Sequence, residues 1–134
     1  MEYFGLNLAG ILVATFIGMA LGVLWYSPLL FGKRWMESIG KTPDTLGGTT
    51  LPMIGSIVAN LMTAVGVSIL FSFIDVESLS MGIAIGLTLG LLIIFPALLS
   101  DNLFCGWGNQ LLFIQSGYRA LSVLLMSVVS VYFS

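Results

Sequence analysis

The sequence predicts an all-α fold, an integral membrane four-helix bundle with a short interfacial amphipathic helix after the first span. Three observations predict it. Hydrophobic residues make up 58% of the 134 and charged residues 7%, with a mean hydropathy of +1.10, whereas a soluble domain is usually about a quarter charged. Four stretches are long enough to cross about 30 Å of hydrocarbon, which takes about 20 helical residues. Finally, LWYSPLLFGKRWM, Leu24 to Met36, joins the first apolar run to the chain's only cluster of positive charge.

The expected spans are 6–26, 53–74, 79–99 and 111–133, within one transmembrane domain covering 1–134. The first three contain no ionisable side chain and the fourth contains only Arg119. A long loop, Ser27 to Pro52, follows the first span. The turn Asp75-Val76-Glu77-Ser78 joins the second and third, and a polar connector, Ser100 to Gln110, joins the third and fourth. The opening run is not read as a cleaved signal, because Met1 to Leu6 carries Glu2 and no Lys or Arg ahead of the apolar core. Lys33, Arg34 and Lys41 all lie in the first loop, and positive loops stay on the cytoplasmic side. The first loop and the Asp101 connector are therefore expected on the cytoplasmic side, with both termini outside.

Trp25 and Tyr26 fall where the first span ends, at the depth amphipathic rings favour. Ser27-Pro28 reads as a helix start, with a serine cap and proline at the first helical position. On a helix over 28–39, Phe31, Trp35 and Ile39 recur every four residues with Met36 beside them, while Lys33, Glu37 and Lys41 form a charged stripe with Arg34 near it. One oily and one charged face suit a helix lying in the interface, its basic side drawn to anionic lipid. Gly40 and Thr42-Pro43 supply the stop. The reading favoured for Trp25, Tyr26, Ser27, Pro28, Phe31, Gly32 and Trp35 is thus an interfacial anchor; a ligand site is the alternative.

Apolar side chains gain little by meeting one another in lipid, so close approach at small residues carries helix association. Gly10, Ala14, Gly18 and Gly22 recur every four residues in the first span, and Gly82, Gly86 and Gly90 in the third. Ser56, Asn60, Ala64, Ser68 and Ser72 make a small, polar ridge on the second. These faces are expected to meet inside the bundle or at a homo-oligomer contact.

The candidate ligand or pore groups are Asn60 and Arg119 within the spans and Asp101 and Asn109 in the connector. An amide facing lipid tails leaves donors unsatisfied, so Asn60 is expected to face protein or water, with an interhelical hydrogen bond favoured over a substrate contact. Arg119 lies eight residues into the fourth span, about 12 Å along the axis at 1.5 Å per residue. It can snorkel to the headgroups or pair with Asp101. Asn102, Asn109, Gln110 and Gln115 enrich the same end, where any polar cavity is expected. Pro96 removes the N–H that would bond the Leu92 carbonyl, which predicts a bend there.

Several function classes lose support. No basic patch exists that could hold a nucleic-acid backbone. With no histidine and one cysteine, Cys105, the usual nitrogen ligands for a metal and the base of a hydrolase triad are missing, so no metal site, cofactor or catalytic residue is assigned. A serine–lysine arrangement would have to draw its lysine from the first loop.

The runs LGVLWYSPLLFGKRWM, FPALLSDNLF and IQSGYRALSVLLMSVV resemble successive signatures of DUF1761, a family of small bacterial membrane proteins of unknown function. The resemblance spans nearly the whole chain, with Trp25, Tyr26, Ser27, Pro28, Phe31, Gly32, Trp35, Gly117, Tyr118 and Arg119 as family-like positions. It implies a four-span architecture and brings no catalytic role. The leading expectation is a non-enzymatic inner-membrane protein, a homo-oligomer through its glycine faces, binding lipid or a small amphipathic ligand. The alternatives are a transporter or channel subunit with Asn60 and Arg119 on the path, and an enzyme acting on lipid.

Overall fold

The computed structural model describes residues 2–3 and 6–133. Residues 1, 4, 5 and 134, which the expected domain includes, lie outside the described residues. Glu2–Tyr3 (β1) and Leu6–Asn7 (β2) pair as a minimal antiparallel ladder. Six α-helices follow: α1 Leu8–Trp25, α2 Gly32–Ile39, α3 Thr50–Phe73, α4 Leu79–Leu87, α5 Phe95–Cys105 and α6 Asn109–Phe133. A wider π-type segment, Thr88–Ile94, joins α4 to α5, so the third long helix runs unbroken from Leu79 to Cys105. Four helices are long and apolar enough to cross a membrane.

Local chemistry explains most of the boundaries. The Asn7 side chain caps α1 by accepting the Gly10 N–H at 3.0 Å, and Ser78 caps α4 by accepting that of Met81 at 3.2 Å. Gly40 and Gly106 end α2 and α5 in the left-handed region, φ 70° in both, where a side chain would be strained. Just ahead of Pro96, where a bend is expected, the helix widens into the π-type segment. The Phe95 N–H reaches back to Gly90 O, and the widened winding just ahead of Pro96 accommodates a ring that would clash with an α-helical carbonyl. The helix continues past the expected end at Leu99, and so Asp101 and Asn102 sit on α5 rather than in a connector.

The helices alternate in direction, and α6 is the central member. In its most apolar stretch 44% of residues are buried, against 17–22% in the other three. On one side it packs with α1 and α3 around Ile11, Ala14, Ala64, Val67, Phe71, Val123 and Met126. On its other flank lies the third helix. The glycines explain the closeness. A Cβ on Gly10 would fall 2.8 Å from Phe133 Cβ, and one on Gly18 would collide with Asn60 and Met126. On the third helix, Gly86 and Gly90 would each bring a Cβ to 2.9 Å from the backbone Cα of Leu124 and Ala120, and Gly82 lies against Val131.

Both glycine series are therefore filled within one chain, and almost wholly by α6. Of the two arrangements expected for these faces, contact inside the bundle is the one the fold uses. Ser116, Ser122 and Ser127 of α6 are buried. Ser116 and Ser127 hydroxyls donate to the carbonyls four residues back, at 2.6 and 2.9 Å, so small polar side chains occupy the helix contact without demanding partners across it.

Candidate functional site at the elbow end

The chain after α1 folds back on itself through two carbonyls. Phe31 N–H donates to Trp25 O at 3.0 Å, and Ser27 O accepts both Leu30 N–H, at 3.1 Å, and Gly32 N–H, at 2.9 Å. Ser27 does not cap a helix as expected. Its hydroxyl donates to Leu24 O at 2.6 Å, and α2 begins only at Gly32. Pro28 is exposed in the intervening turn. Glycine is required at position 32 because a Cβ there would lie 2.5 Å from Tyr26 O and 2.8 Å from Ser27 O, both backbone atoms.

This elbow grips the first half of α6. The Trp25 indole N–H donates to Ile114 O at 2.9 Å, and its ring lies so close over Gly117 that a Cβ there would meet Cζ2 at 2.8 Å. Trp25 also stacks obliquely on Phe31, centroids 4.7 Å apart. Tyr26 stands edge-on to Trp35 at 5.3 Å and to Tyr118 at 5.7 Å. Burial raises the pKa of the Tyr26 hydroxyl, and the positive charge of Arg119 pulls it the other way. Arg119 itself is exposed, its guanidinium carbon 5.0 Å from the Tyr118 ring centroid. The expected ion pair with Asp101 is not formed, and both residues face outward.

Deeper in, one polar node joins three helices. Asn60, 2% exposed, shares the two N–H groups of its amide among Ser56 O at 2.9 Å, Tyr118 Oη at 3.2 Å and Met19 Sδ at 3.3 Å. The Tyr118 hydroxyl donates to Gly18 O at 2.9 Å. The absence of a side chain at Gly18 makes room for the Asn60 carboxamide. Of the four ligand or pore candidates only Asn60 is buried. Asp101, Asn109 and Arg119 are exposed, and they do not converge with it. Sequence reasoning missed Tyr118 as the partner, although its position two turns from Leu111 and one turn from Ile114 and Ser122 places it on the buried face.

At the mouth of the same end, an open cleft of about 350 Å³ is lined by Ser38, Ile39, Trp107, Leu111 and Gln115. Gln110 fixes one wall by donating its side-chain amide to Arg34 O at 3.0 Å. Trp107 N–H donates to Asn102 O at 3.3 Å, holding the α5–α6 corner. Asn102 is 4% exposed, and its amide nitrogen has no hydrogen-bond partner, a costly state for a buried donor. Ser38, Ile39 and Trp107 carry no signal in the sequence that would mark them as cleft residues, since they come from two segments that only the fold brings together. A second cavity of about 30 Å³ at the opposite end, between Asn7, Ser68 and Ser130, has room for about one water. Among the described residues, no group of three or more His, Cys, Asp or Glu gathers.

Residues 9–131 match the family described as "Protein of unknown function (DUF1761)". The chain belongs to this family. No curated protein and no solved structure matches it. The DUF1761 match covers both the WYSPLLFGKRW segment and the GYR segment, and the fold shows what links them: Trp25 rests on Gly117, and Tyr26 on Tyr118.

Proposed function

We propose that the protein is a non-enzymatic membrane protein that holds an amphipathic molecule, a lipid of the surrounding bilayer, at its elbow end. One observation carries this reading. A cleft of about 350 Å³, within the range of ligand sites at roughly 300–1,000 Å³, opens between an amphipathic helix and the start of α6, with apolar walls at Ile39, Trp107 and Leu111 and polar groups at Ser38 and Gln115. Such a mixed lining suits a molecule with an oily and a polar part. The three first-loop cations support placing this end in the cytoplasm and the chain in a bacterial inner membrane. Self-association, if it accompanies this role, has to use a surface other than the two glycine series, such as the outer face of α3 where Gly55 and Gly66 meet no neighbour.

Transport through the bundle draws less support. A solute path past Asn60 would have to displace its bonds to Ser56 and Tyr118. The test of lipid holding is native mass spectrometry of the purified protein beside a Trp107→Ala variant. Lipid should stay bound to the parent protein and be lost from the variant. A parent that sheds all lipid under conditions that preserve its fold would refute the reading.

A further inference from the structure

We propose that this cleft selects the phosphate-bearing headgroup of an anionic phospholipid, an inference that rests on the lipid-holding reading and names its ligand class. The donors at the cleft carry it. Arg34 and Ser38 stand one turn apart on α2, where the Ser38 hydroxyl donates to Arg34 O at 2.8 Å, and Ser38 lines the cleft. Lys41 follows two residues after Ile39, beyond the left-handed Gly40, with its N–H returned to Met36 O at 3.0 Å. Gln115 adds an amide at the cleft wall. In the same corner the buried Asn102 amide nitrogen has no partner, while its backbone carbonyl holds Trp107, a lining residue.

A phosphodiester offers only acceptors, and the segment that supplies the Ser38–Ile39 wall carries a guanidinium at Arg34 and an ammonium at Lys41, with the Gln115 amide on the wall opposite. The acidic groups at this end are Glu37, Asp44 and Asp101. Glu37 shares the Lys33 stripe of α2, one turn on, rather than the Arg34–Ser38 stripe. Asp101 is exposed on α5. The cleft's size suits a headgroup and glycerol, leaving the acyl chains in the bilayer beside the exposed Leu103 and Phe104.

The experiment uses the full chain in nanodiscs of phosphatidylcholine containing a minor fraction of phosphatidylglycerol. Retained lipid is read by native mass spectrometry, and Trp107 fluorescence is read with brominated chains of either lipid. The parent should retain phosphatidylglycerol over phosphatidylcholine. Arg34→Gln and Lys41→Gln should each weaken that preference by about fivefold, as expected for one cation near an anionic surface, whereas Lys33→Gln should leave it nearly unchanged. Equal losses in Lys33→Gln and Arg34→Gln would mean diffuse surface attraction and overturn the proposal. Retention of both lipids without preference, abolished by Trp107→Ala, would overturn headgroup selection while leaving lipid holding intact. Loss of all lipid from the parent would instead defeat the underlying reading. Displacement of phosphatidylglycerol by millimolar glycerol 3-phosphate would overturn a lipid as the source of the phosphate.

Discussion

Gly117→Ala is the sharpest test of how the elbow is held. In a helix interior, alanine in place of glycine ordinarily stabilises by about 1 kcal/mol. Here the new Cβ would sit 2.8 Å from Trp25 Cζ2 and 3.4 Å from Cη2, and the indole cannot simply swing aside, because its N–H is fixed to Ile114 O at 2.9 Å. Overpacking costs about 1–3 kcal/mol and the lost hydrogen bond about 0.5–1.5. Subtracting the helix gain leaves a net destabilisation of roughly 0.5–3.5 kcal/mol. Unfolding in mixed micelles, followed by tryptophan fluorescence, measures it. Trp25→Phe shrinks the ring and removes the constraint. The double variant should therefore be more stable than the sum of the two single changes, by an amount close to the overpacking cost. If Gly117→Ala is stabilising by about 1 kcal/mol, or if the two changes add without coupling, the clamp argued from this contact does not exist.

Gly32→Ala places a Cβ against the Tyr26 and Ser27 carbonyls, which belong to the backbone and cannot repack, so it should lower the thermal midpoint in detergent by the equivalent of about 2 kcal/mol or more; an unchanged midpoint would refute the turn. Gly86→Ala should be about 1–3 kcal/mol less stable than Gly66→Ala in the same micelle assay, since the first meets Leu124 backbone and the second meets nothing. Tyr118→Phe and Asn60→Leu should show a coupling energy of about 0.6–1.7 kcal/mol in a double-mutant cycle, the range found for hydrogen bonds between membrane helices, and a coupling of zero would dissolve the node. Arg119→Gln should lower stability by about 0.5–1 kcal/mol, the worth of an exposed cation–π contact such as that with the Tyr118 ring, and a strong coupling to Asp101→Asn would show that an ion pair forms after all.

The sequence carries the architecture well because a bilayer imposes it. A membrane span must satisfy its own backbone, so length and hydropathy alone mark four helices. Glycine spacing marks the faces of close approach, but a face does not name its partner. Gly10 to Gly22 and Gly82 to Gly90 look alike in sequence, and nothing there says that both close on α6 rather than on each other or on a second copy. The elbow is legible in its residue types and its Gly40 stop. Its start is not, since Ser27 and Pro28 satisfy the chemistry of a helix cap equally well when the chain turns back through Ser27 O. Arg119 and Asp101 invite pairing because they are opposite charges at one end of the bundle. Helical phase turns both outward, a distinction that needs the packing of α5 on α6.

The elbow's two readings, as anchor and as part of a site, are not exclusive once its contacts are followed. Each wall of the cleft is positioned by a different device. The α2 wall depends on the turn at Gly32, the Trp25–Ile114 bond and the Gln110–Arg34 bond. The α5–α6 corner depends on Gly106, the Asn102–Trp107 bond and the glycine contacts of the third helix with α6. Both sets end on α6, so this helix fixes the distance between the walls. A helix lying free in the interface would keep its oily face but could not define a cleft, because its position relative to Leu111 and Gln115 would drift by more than a hydrogen bond's length. The aromatic clamp on Ile114 and Gly117 removes that freedom, and so the residues that anchor the elbow are also those that give the cleft a fixed shape.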